Sequence, residues 1–218
     1  MPLLSRFLDS ASVSLKICGV TTCEDAHQLA ELGVDALGAN FWPRSKRYLP
    51  PENAAWLRDL AGRILRVGVF VNQGSELPLR LMREGLLDVV QLHGDEIPED
   101  TAAYQENGVP FFKGIGVKTS GDLERAADFA ADAILLDAHA PGVYGGTGET
   151  FDWNAALDFK SRYPSIPIIL AGGITPENAA LAASTVRPAA LDVASGAEIS
   201  PGTKDFAKVS ALLAALNR

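Results

Sequence analysis

Residues 166–178 read Ile-Pro-Ile-Ile-Leu-Ala-Gly-Gly-Ile-Thr-Pro-Glu-Asn. Ile168-Ile169-Leu170 is a continuous apolar run, which is typical of a strand buried on both faces of a parallel sheet. Two glycines follow, and Thr175-Pro176-Glu177 then offers a hydroxyl N-cap, a proline at the first helical position and an acid in the first turn. The stretch therefore predicts one unit made of a strand, a tight turn and a helix.

The same unit recurs along the whole chain. Short apolar runs alternate with segments whose apolar residues recur three and four positions apart, the spacing of one helix face. Predicted strands occupy residues 13–18, 36–42, 65–72, 89–93, 111–117, 133–138, 166–171 and 190–194. Predicted helices occupy residues 23–32, 51–60, 76–86, 98–107, 122–130, 153–163, 176–185 and 206–216.

These units are joined without a linker rich in Pro, Gly or Ser, which favours one α/β architecture. It is a single (β/α)8 TIM barrel with a parallel eight-stranded core, and an open doubly wound sheet is the alternative. The barrel is predicted over residues 13–218. Residues 1–12 fall outside the repeat and are predicted as an N-terminal extension, either disordered or a short helix that plugs the bottom of the barrel.

Composition and charge exclude several classes of partner. The 218 residues are 47% hydrophobic and 21% charged, as in ordinary globular proteins, and the net charge of -8 would repel a nucleic-acid backbone. No apolar run approaches the length of about 18 residues that a membrane span needs. Residues 1–12 carry one cationic side chain and do not resemble a secretory signal. We therefore predict a cytoplasmic protein with no nucleic-acid or membrane partner.

The chain offers no pattern for a metal or a nucleotide cofactor. His27 lies one helical turn past Cys23, but beyond it the two cysteines, Cys18 and Cys23, have no further cysteine or histidine nearby to complete a zinc site. Both are predicted to be free thiols. Gly145-Gly146-Thr147-Gly148 lacks the Lys-Ser/Thr tail of a Walker loop. It is predicted to be a loop after the sixth strand, either an active-site lid or a surface turn.

Functional groups of a barrel collect at the carboxyl ends of its strands. Cys18 ends the first strand and is a candidate nucleophile or base. Strand alternation places Lys16 on the same face, where its ammonium group would lower the pKa of the thiol. The alternative is a buried structural cysteine.

Two more candidates end the fourth and sixth strands. Asp137 closes an apolar run, so a carboxyl there is either a general acid with a raised pKa or an aspartate that caps a turn. His93 is interpreted as a histidine that belongs to the core or supports a neighbouring group, in preference to a catalytic one.

Glycines at the ends of the seventh and eighth strands predict a phosphate site. The segments Gly172-Gly173 and Ser195-Gly196 lie where loops of this fold bind phosphate through backbone N–H groups. The alternative is a pair of tight turns that need glycine only for its backbone freedom. A basic cluster, Arg44, Lys46 and Arg47, follows the second strand and is either a solvated charge run or a clamp for a substrate carboxylate.

An ordered set of motifs spans about residues 13–218. Its pieces are Lys-Ile-Cys-Gly at 16–19, Ser-Lys-Arg-Tyr at 45–48, Val-Gly-Val-Phe-Val-Asn at 67–72, Gln-Leu-His-Gly at 91–94, Leu-Leu-Asp at 135–137, Gly-Gly-Thr-Gly-Glu-Thr-Phe-Asp-Trp at 145–153, Ala-Gly-Gly-Ile-Thr-Pro-Glu-Asn at 171–178, and Ser-Gly-Ala-Glu with Pro-Gly-Thr-Lys-Asp within 195–205. In this set the chain resembles the phosphoribosylanthranilate isomerase family of tryptophan biosynthesis.

The resemblance implies a cofactor-free barrel that acts on a small phosphosugar as a monomer or homodimer. The implied reaction is an Amadori rearrangement of N-(5-phosphoribosyl)anthranilate to 1-(2-carboxyphenylamino)-1-deoxyribulose 5-phosphate. Cys18 matches the family's base, Asp137 its acid, and Arg47 the arginine that holds the anthranilate carboxylate. Supporting roles are expected for Lys16, Asn72, His93 and Asp192.

Two positions depart from the family's pattern. Asn40 stands where an apolar residue is more common, and Ala194 replaces one of two serines. Neither change removes the acid, the base or the arginine. The runner-up activity is the histidine-pathway aminoaldose isomerase, which is expected to carry an aspartate in place of Cys18. The third alternative is a barrel that binds a phosphosugar without catalysing a reaction. The presence of both Cys18 and Asp137 argues against it.

Overall fold

A computed structural model describes residues 2–9, 11–117, 120–138 and 153–217. Eight parallel strands, β1 to β8, follow one another around a closed barrel in chain order, with β8 paired to β1. The predicted (β/α)8 barrel is thus confirmed and the open sheet is excluded. The strands are β1 (Ser14–Cys18), β2 (Ala36–Asn40), β3 (Leu65–Phe70), β4 (Val89–Leu92), β5 (Phe111–Val117), β6 (Ala133–Ala138), β7 (Ile168–Leu170) and β8 (Ala190–Val193).

Helices surround the barrel and cover its outer face. The α-helices are α1 (Leu3–Phe7), α2 (Cys23–Glu31), α3 (Glu76–Arg83), α4 (Ala102–Glu106), α5 (Ser120–Ala126), α6 (Trp153–Arg162), α7 (Ala179–Val186) and α8 (Phe206–Ala215). Short 3₁₀ helices span Pro51–Asn53, Ala55–Leu60, Pro98–Thr101, Ala127–Phe129 and Ser195–Ala197, and a small hairpin pairs β9 (Glu198–Ser200) with β10 (Thr203–Lys204). No helix in the described ranges has the length and apolar character that crossing a bilayer requires.

Two predicted helices are present, but they are not α-helical over their full lengths. Residues 51–60 form two 3₁₀ helices separated at Ala54, and only the second half of residues 98–107 is α-helical. Apolar residues three positions apart share one face in both helix types, so spacing over so short a segment does not separate them.

The predicted start of the seventh helix is also wrong. Residues 175–178 form a turn in which the Asn178 amide donates to the Thr175 carbonyl at 3.2 Å, and the Thr175 amide donates to Asn178 Oδ1 at 2.8 Å. Helix α7 therefore begins at Ala179 with Asn178 at its N-cap. The asparagine side chain satisfies a donor within the turn, which delays the helix by three residues.

The lower half of the barrel interior is apolar and closed from below by α1. Phe7 is 1% exposed and packs with inward-facing residues of several strands, including Leu65, Val89 and Ala133. Its ring stacks on Phe112 with centroids 6.0 Å apart. The N-terminal segment is therefore a short helix whose one large aromatic side chain fills the bottom of the barrel.

Candidate active site

A cavity opens at the carboxyl ends of the barrel strands. Its walls contain most of the residues that the sequence singles out, and they come from both ends of the chain. Those that line it are Cys18, Arg47, His93, Asp137, Gly172, Gly173, Asp192 and Ser195, joined by Asn40 and Ala194. Side chains far apart in sequence thus meet at one rim, as the fold predicts.

Beneath this cavity, Lys16 pairs with Asp192 across the seam where β1 meets β8. The two residues are direct partners in the strand register, and Lys16 Nζ lies 2.9 Å from Asp192 Oδ1. Lys16 is fully buried. Burial opposes its charge, but Asp192 and Cys18 outweigh that effect and the pKa of Lys16 is raised. Lys16 therefore stays an ammonium ion at neutral pH.

Cys18 shares the inner face with Lys16, as strand alternation predicts. A methyl group added to Gly38 would lie 2.8 Å from Cys18 Sγ and 3.2 Å from Lys16 Nζ, so both side chains reach one small space. Glycine at this position leaves room for the thiol and the ammonium group together.

Lys16 is one of several groups that shift the pKa of the Cys18 thiol. Burial raises the pKa of Cys18, and Asp192 adds to the rise. Lys16, Lys204 and Arg47 act in the opposite direction, but the pKa remains above its ordinary value. The predicted effect of Lys16 is present, but it does not set the outcome, because desolvation is the larger effect in the free protein.

Asp137 lies beside His93, and His93 lies beside Gln91. His93 Nε2 is 3.4 Å from Asp137 Oδ2, and Gln91 Nε2 is 3.1 Å from His93 Nδ1. The ring passes so close to the β5 backbone that a methyl group on Gly114 would clash with Nδ1. Gln91 was not among the predicted site residues, although it stands two residues before His93 and lines the same cavity.

Of the basic cluster, Arg47 alone lines the cavity, whereas Arg44 and Lys46 are exposed. Arg47 passes directly over Gly19, where a methyl group would clash with its Cδ atom, and Gly19 has a φ of 75°. The guanidinium group is bound by Glu198, with Nε 2.8 Å from Oε1 and Nη2 2.6 Å from Oε2. Nη1 has no hydrogen-bond partner within the described ranges.

Glu198 is a residue that the sequence analysis missed. It is 5% exposed and also accepts from Lys204 Nζ at 2.7 Å and from the Gly202 amide at 3.1 Å. Burial opposes its charge, but Arg47 and Lys204 outweigh that effect and the pKa of Glu198 is lowered. Lys204 also donates to the Cys18 carbonyl at 2.6 Å, so this network ties Arg47 to the end of β1.

Glycines shape the wall between β7 and β8. Gly172 and Gly173 have φ angles of 83° and 65°, a left-handed conformation that favours glycine. Gly196 does not line the cavity but packs against the Ile174 carbonyl, where any Cβ would clash. The two loops are thereby held in direct contact, and their backbone faces the same cavity as Ser195.

Asn72 lies apart from this group and is not among the residues that line the cavity. It adopts a φ of 50°, its amide donates to Glu96 Oε1 at 2.8 Å, and its Oδ1 accepts from the Asp95 amide at 2.7 Å. These contacts fix the loop after β3 against the loop after β4.

The glycine motif at 145–148 and its flanks lie outside the described residues. Within the described ranges, Cys18 and Cys23 are free thiols, and no group of His, Cys, Asp and Glu side chains is arranged to hold a metal ion.

Sequence relatives share one description. The family described as N-(5'phosphoribosyl)anthranilate (PRA) isomerase matches residues 15–215. N-(5'-phosphoribosyl)anthranilate isomerase of Thermotoga maritima is 43% identical over 194 residues, covering 88% of this chain and 93% of the relative. The protein of the same name from Citrifermentans bemidjiense is 43% identical over 201 residues, covering 92% of this chain and 95% of the relative.

Solved structures agree with the sequence relatives. The crystal structure of phosphoribosyl anthranilate isomerase from Thermotoga maritima matches with a TM-score of 0.85 at 39% identity, covering 94% of this chain and 98% of that one. A phosphoribosyl anthranilate isomerase in complex with reduced 1-(o-carboxyphenylamino)-1-deoxyribulose 5-phosphate matches with a TM-score of 0.82 at 38% identity and the same coverage. This chain therefore belongs to the N-(5'-phosphoribosyl)anthranilate isomerase family of enzymes.

Proposed function

We propose that this protein converts N-(5'-phosphoribosyl)anthranilate to 1-(2-carboxyphenylamino)-1-deoxyribulose 5-phosphate in tryptophan biosynthesis by an Amadori rearrangement. The observation that carries the proposal is that Cys18 and Asp137 line one cavity together with Arg47 and the glycine loops after β7 and β8. An acid, a base, a carboxylate partner and a phosphate site are the four elements that this substrate requires.

Asp137 is the general acid in this scheme. In its protonated form it donates to the oxygen of the furanose ring, and the ring opens to a Schiff base. Its side chain is 10% exposed at the end of an otherwise apolar strand, so it reaches the cavity while little water surrounds it. The carboxyl group can therefore contact a substrate directly from the wall of the cavity.

Cys18 is the general base, and its thiolate removes the proton from C2′ of the Schiff base. The product is an enolamine, which becomes the ketone by tautomerisation. Burial keeps the thiol protonated in the free protein. Before it acts as a base, the thiol releases its proton to water in the open cavity. The cationic Schiff base formed by ring opening, together with Lys16, favours the resulting thiolate.

Binding groups at the two ends of the substrate would hold it in place for these proton transfers. The phosphate lies against the backbone of Gly172, Gly173 and Ser195, which Gly196 helps to shape by its contact with Ile174. Arg47 meets the anthranilate carboxylate through Nη1, while Glu198 keeps the rest of its guanidinium group in position. Binding energy from both ends supports orientation at the reacting carbon.

The direct test is an assay of the purified protein with freshly generated phosphoribosylanthranilate, followed by loss of substrate fluorescence. We expect turnover without added metal or cofactor. The histidine-pathway aminoaldose phosphate is the control substrate, because its isomerase carries out the same rearrangement. Turnover of that compound alone would overturn the proposal.

The phosphate site has its own test. We expect inorganic phosphate or sulfate to compete weakly with substrate and to occupy the rim formed by Gly172, Gly173 and Ser195 in crystals. An anion bound elsewhere in such a crystal, with this rim empty, would contradict the assignment.

A further inference from the structure

The side chains of Gln91, His93 and Asp137 contact one another in series, and Asp137 is the proposed acid. Gln91 Nε2 is 3.1 Å from His93 Nδ1, and His93 Nε2 is 3.4 Å from Asp137 Oδ2. Gln91 is 1% exposed, and its buried Oε1 atom has no hydrogen-bond partner among the residues that the structure describes. A buried unpaired oxygen beside an active site calls for an explanation, because buried polar atoms are almost always paired.

The hydrogen bond from Gln91 decides which ring nitrogen of His93 carries the proton. An amide nitrogen only donates hydrogen bonds, so His93 Nδ1 must offer a lone pair to Gln91. The proton of a neutral ring then sits on Nε2, which faces Asp137. A proton on Nδ1 would point at the N–H of Gln91 and find no acceptor there.

The opposite orientation of the amide fits the site less well. It would turn Oε1 towards Nδ1 and place the NH2 group where Oε1 now has no partner. Buried N–H groups without an acceptor are rarer in proteins than carbonyl oxygens without a donor. The β5 backbone at Gly114 lies against the Nδ1 edge of the ring, which leaves Gln91 as the partner of that nitrogen.

We propose that Gln91 holds His93 as the neutral Nε2–H tautomer, and that His93 is a positioning residue that donates this hydrogen to the carboxylate of Asp137. The inference rests on the proposed role of Asp137 as the general acid. When Asp137 gives its proton to the substrate, negative charge develops on its oxygens, and the neutral ring can stabilise that charge. A charged ring would instead stabilise the carboxylate before substrate binds and oppose the acid form.

The first experiment reads the tautomer directly and does not depend on activity. In ¹⁵N-labelled protein, long-range ¹H–¹⁵N spectra distinguish a protonated ring nitrogen from an unprotonated one, and the His93→Gln variant assigns the signal. We expect Nε2 of His93 protonated and Nδ1 unprotonated at neutral pH. A proton on Nδ1, alone or on both nitrogens, would overturn the inference. Half-buried His27 serves as the control in the same spectra.

The second experiment compares variants of Gln91 by kinetics. Gln91→Glu replaces a donor by an acceptor and should draw a proton onto Nδ1, whereas Gln91→Met keeps the volume and leaves the ring free. We expect Gln91→Glu to lower kcat about ten- to hundredfold with little change in KM, less than the loss of a donor that contacts substrate directly. We expect Gln91→Met to have a smaller effect. Equal kcat values in Gln91→Glu and wild type would overturn the proposal.

The ring itself is tested by two replacements. His93→Gln can still present an N–H group towards Asp137, but His93→Leu cannot. We expect the glutamine variant to retain more of the kcat than the leucine variant, with thermal unfolding curves as the check that both are folded. Equal losses in two folded variants would argue against a donor role for His93.

The outcomes separate this inference from the proposed function. An inactive Asp137→Asn variant together with a proton on Nδ1 of His93 overturns the inference alone. Full turnover in Asp137→Asn removes Asp137 as the acid and overturns the inference, although the proposed substrate stands. A wild-type protein that does not convert phosphoribosylanthranilate overturns the proposed function, whatever the tautomer of His93.

Discussion

The two ends of the barrel interior are made from the same strands but from opposite kinds of side chain. Strand β6 contributes Leu135 to the apolar cluster around Phe7 and then, two residues later, Asp137 to the cavity. Strand β4 does the same with Val89 and Gln91. Both strands thus contribute to an apolar lower layer and a polar upper layer of the barrel interior, because alternate residues share a face.

The lower layer contributes mainly to the stability of the barrel, and the upper layer contributes mainly to its chemistry. Buried apolar groups at the bottom gain free energy without any need for partners. At the top, buried charges are acceptable only because they are paired, as Lys16 is with Asp192 and Arg47 with Glu198. We therefore expect changes at the top to affect activity more than stability, and changes at the bottom to do the reverse.

The largest effect should come from the proposed acid and base at the top. Cys18→Ala and Asp137→Asn should each lower kcat by about 10²–10⁴-fold, the usual contribution of a general acid or base. Steady-state kinetics measures the loss, and circular dichroism checks that the variants are folded. Near-normal turnover in either variant would remove that residue from the mechanism.

Cys23→Ala is the matched control for the thiol. Cys23 begins α2 and is half-buried, and it does not line the cavity. Its variant should keep wild-type turnover. A loss equal to that of Cys18→Ala would mean that the wrong cysteine had been chosen.

The bottom of the barrel should respond in the opposite way. Phe7→Ala removes the ring that packs on Phe112 and leaves a cavity, which should lower the free energy of unfolding by about 3–5 kcal/mol. Denaturant unfolding measures the change. At temperatures where the variant is folded, kcat should stay near the wild-type value. A Phe7→Ala variant with normal stability and low kcat would contradict the separation of the two ends.

The raised pKa of Cys18 predicts how the reactivity of its thiol depends on pH. Only the thiolate reacts with iodoacetamide, and its fraction rises with pH as long as the pH lies below the pKa. The rate of Cys18 alkylation in the free protein should therefore increase by up to about tenfold per pH unit on the alkaline side of neutrality. Lys16 has a raised pKa and keeps its charge over this range. An alkylation rate that levels off near neutral pH would show that the pKa of this thiol is not raised.

Much of this organisation could be predicted from the sequence. Short β-branched or apolar runs located all eight strands, and strands β5 and β6 have their predicted limits. The predicted residues at strand ends mostly meet at one cavity because a parallel barrel brings every carboxyl end to the same rim. The type of helix over residues 51–60 could not be predicted, since apolar residues three positions apart share one face in both 3₁₀ and α-helices.

The contacts that hold the site together were not predictable in the same way. Glu198 stands 151 residues beyond Arg47, and no local pattern relates the two. The direction of the Cys18 pKa shift depends on how deeply the thiol is buried, which a neighbouring lysine in the sequence does not reveal. Pairing and burial are properties of the closed barrel, so only its three-dimensional structure supplies them.

The smallest of the expected effects concerns Arg47, whose proposed partner carries the same charge in the substrate and in the transition state. Losing such an interaction weakens both states equally, so Arg47→Ala should raise KM with a much smaller effect on kcat. One charge-assisted contact is worth about 1.5–3 kcal/mol, or roughly 10–100-fold in affinity. Glu198 keeps Lys204 and the Gly202 amide as partners, so the variant should fold.

Two comparisons sharpen this prediction. Arg47→Lys should recover only part of the affinity, because an ammonium group cannot bind Glu198 through two nitrogens and reach the substrate with a third. Arg44→Ala is the matched control, since Arg44 belongs to the same basic cluster but is exposed and does not line the cavity. The KM values of the three variants, measured on one substrate, show which arginine contacts the carboxylate. If Arg44→Ala raises KM and Arg47→Ala does not, the carboxylate contacts the other arginine, and the division between an exposed and a site-facing part of the cluster is wrong.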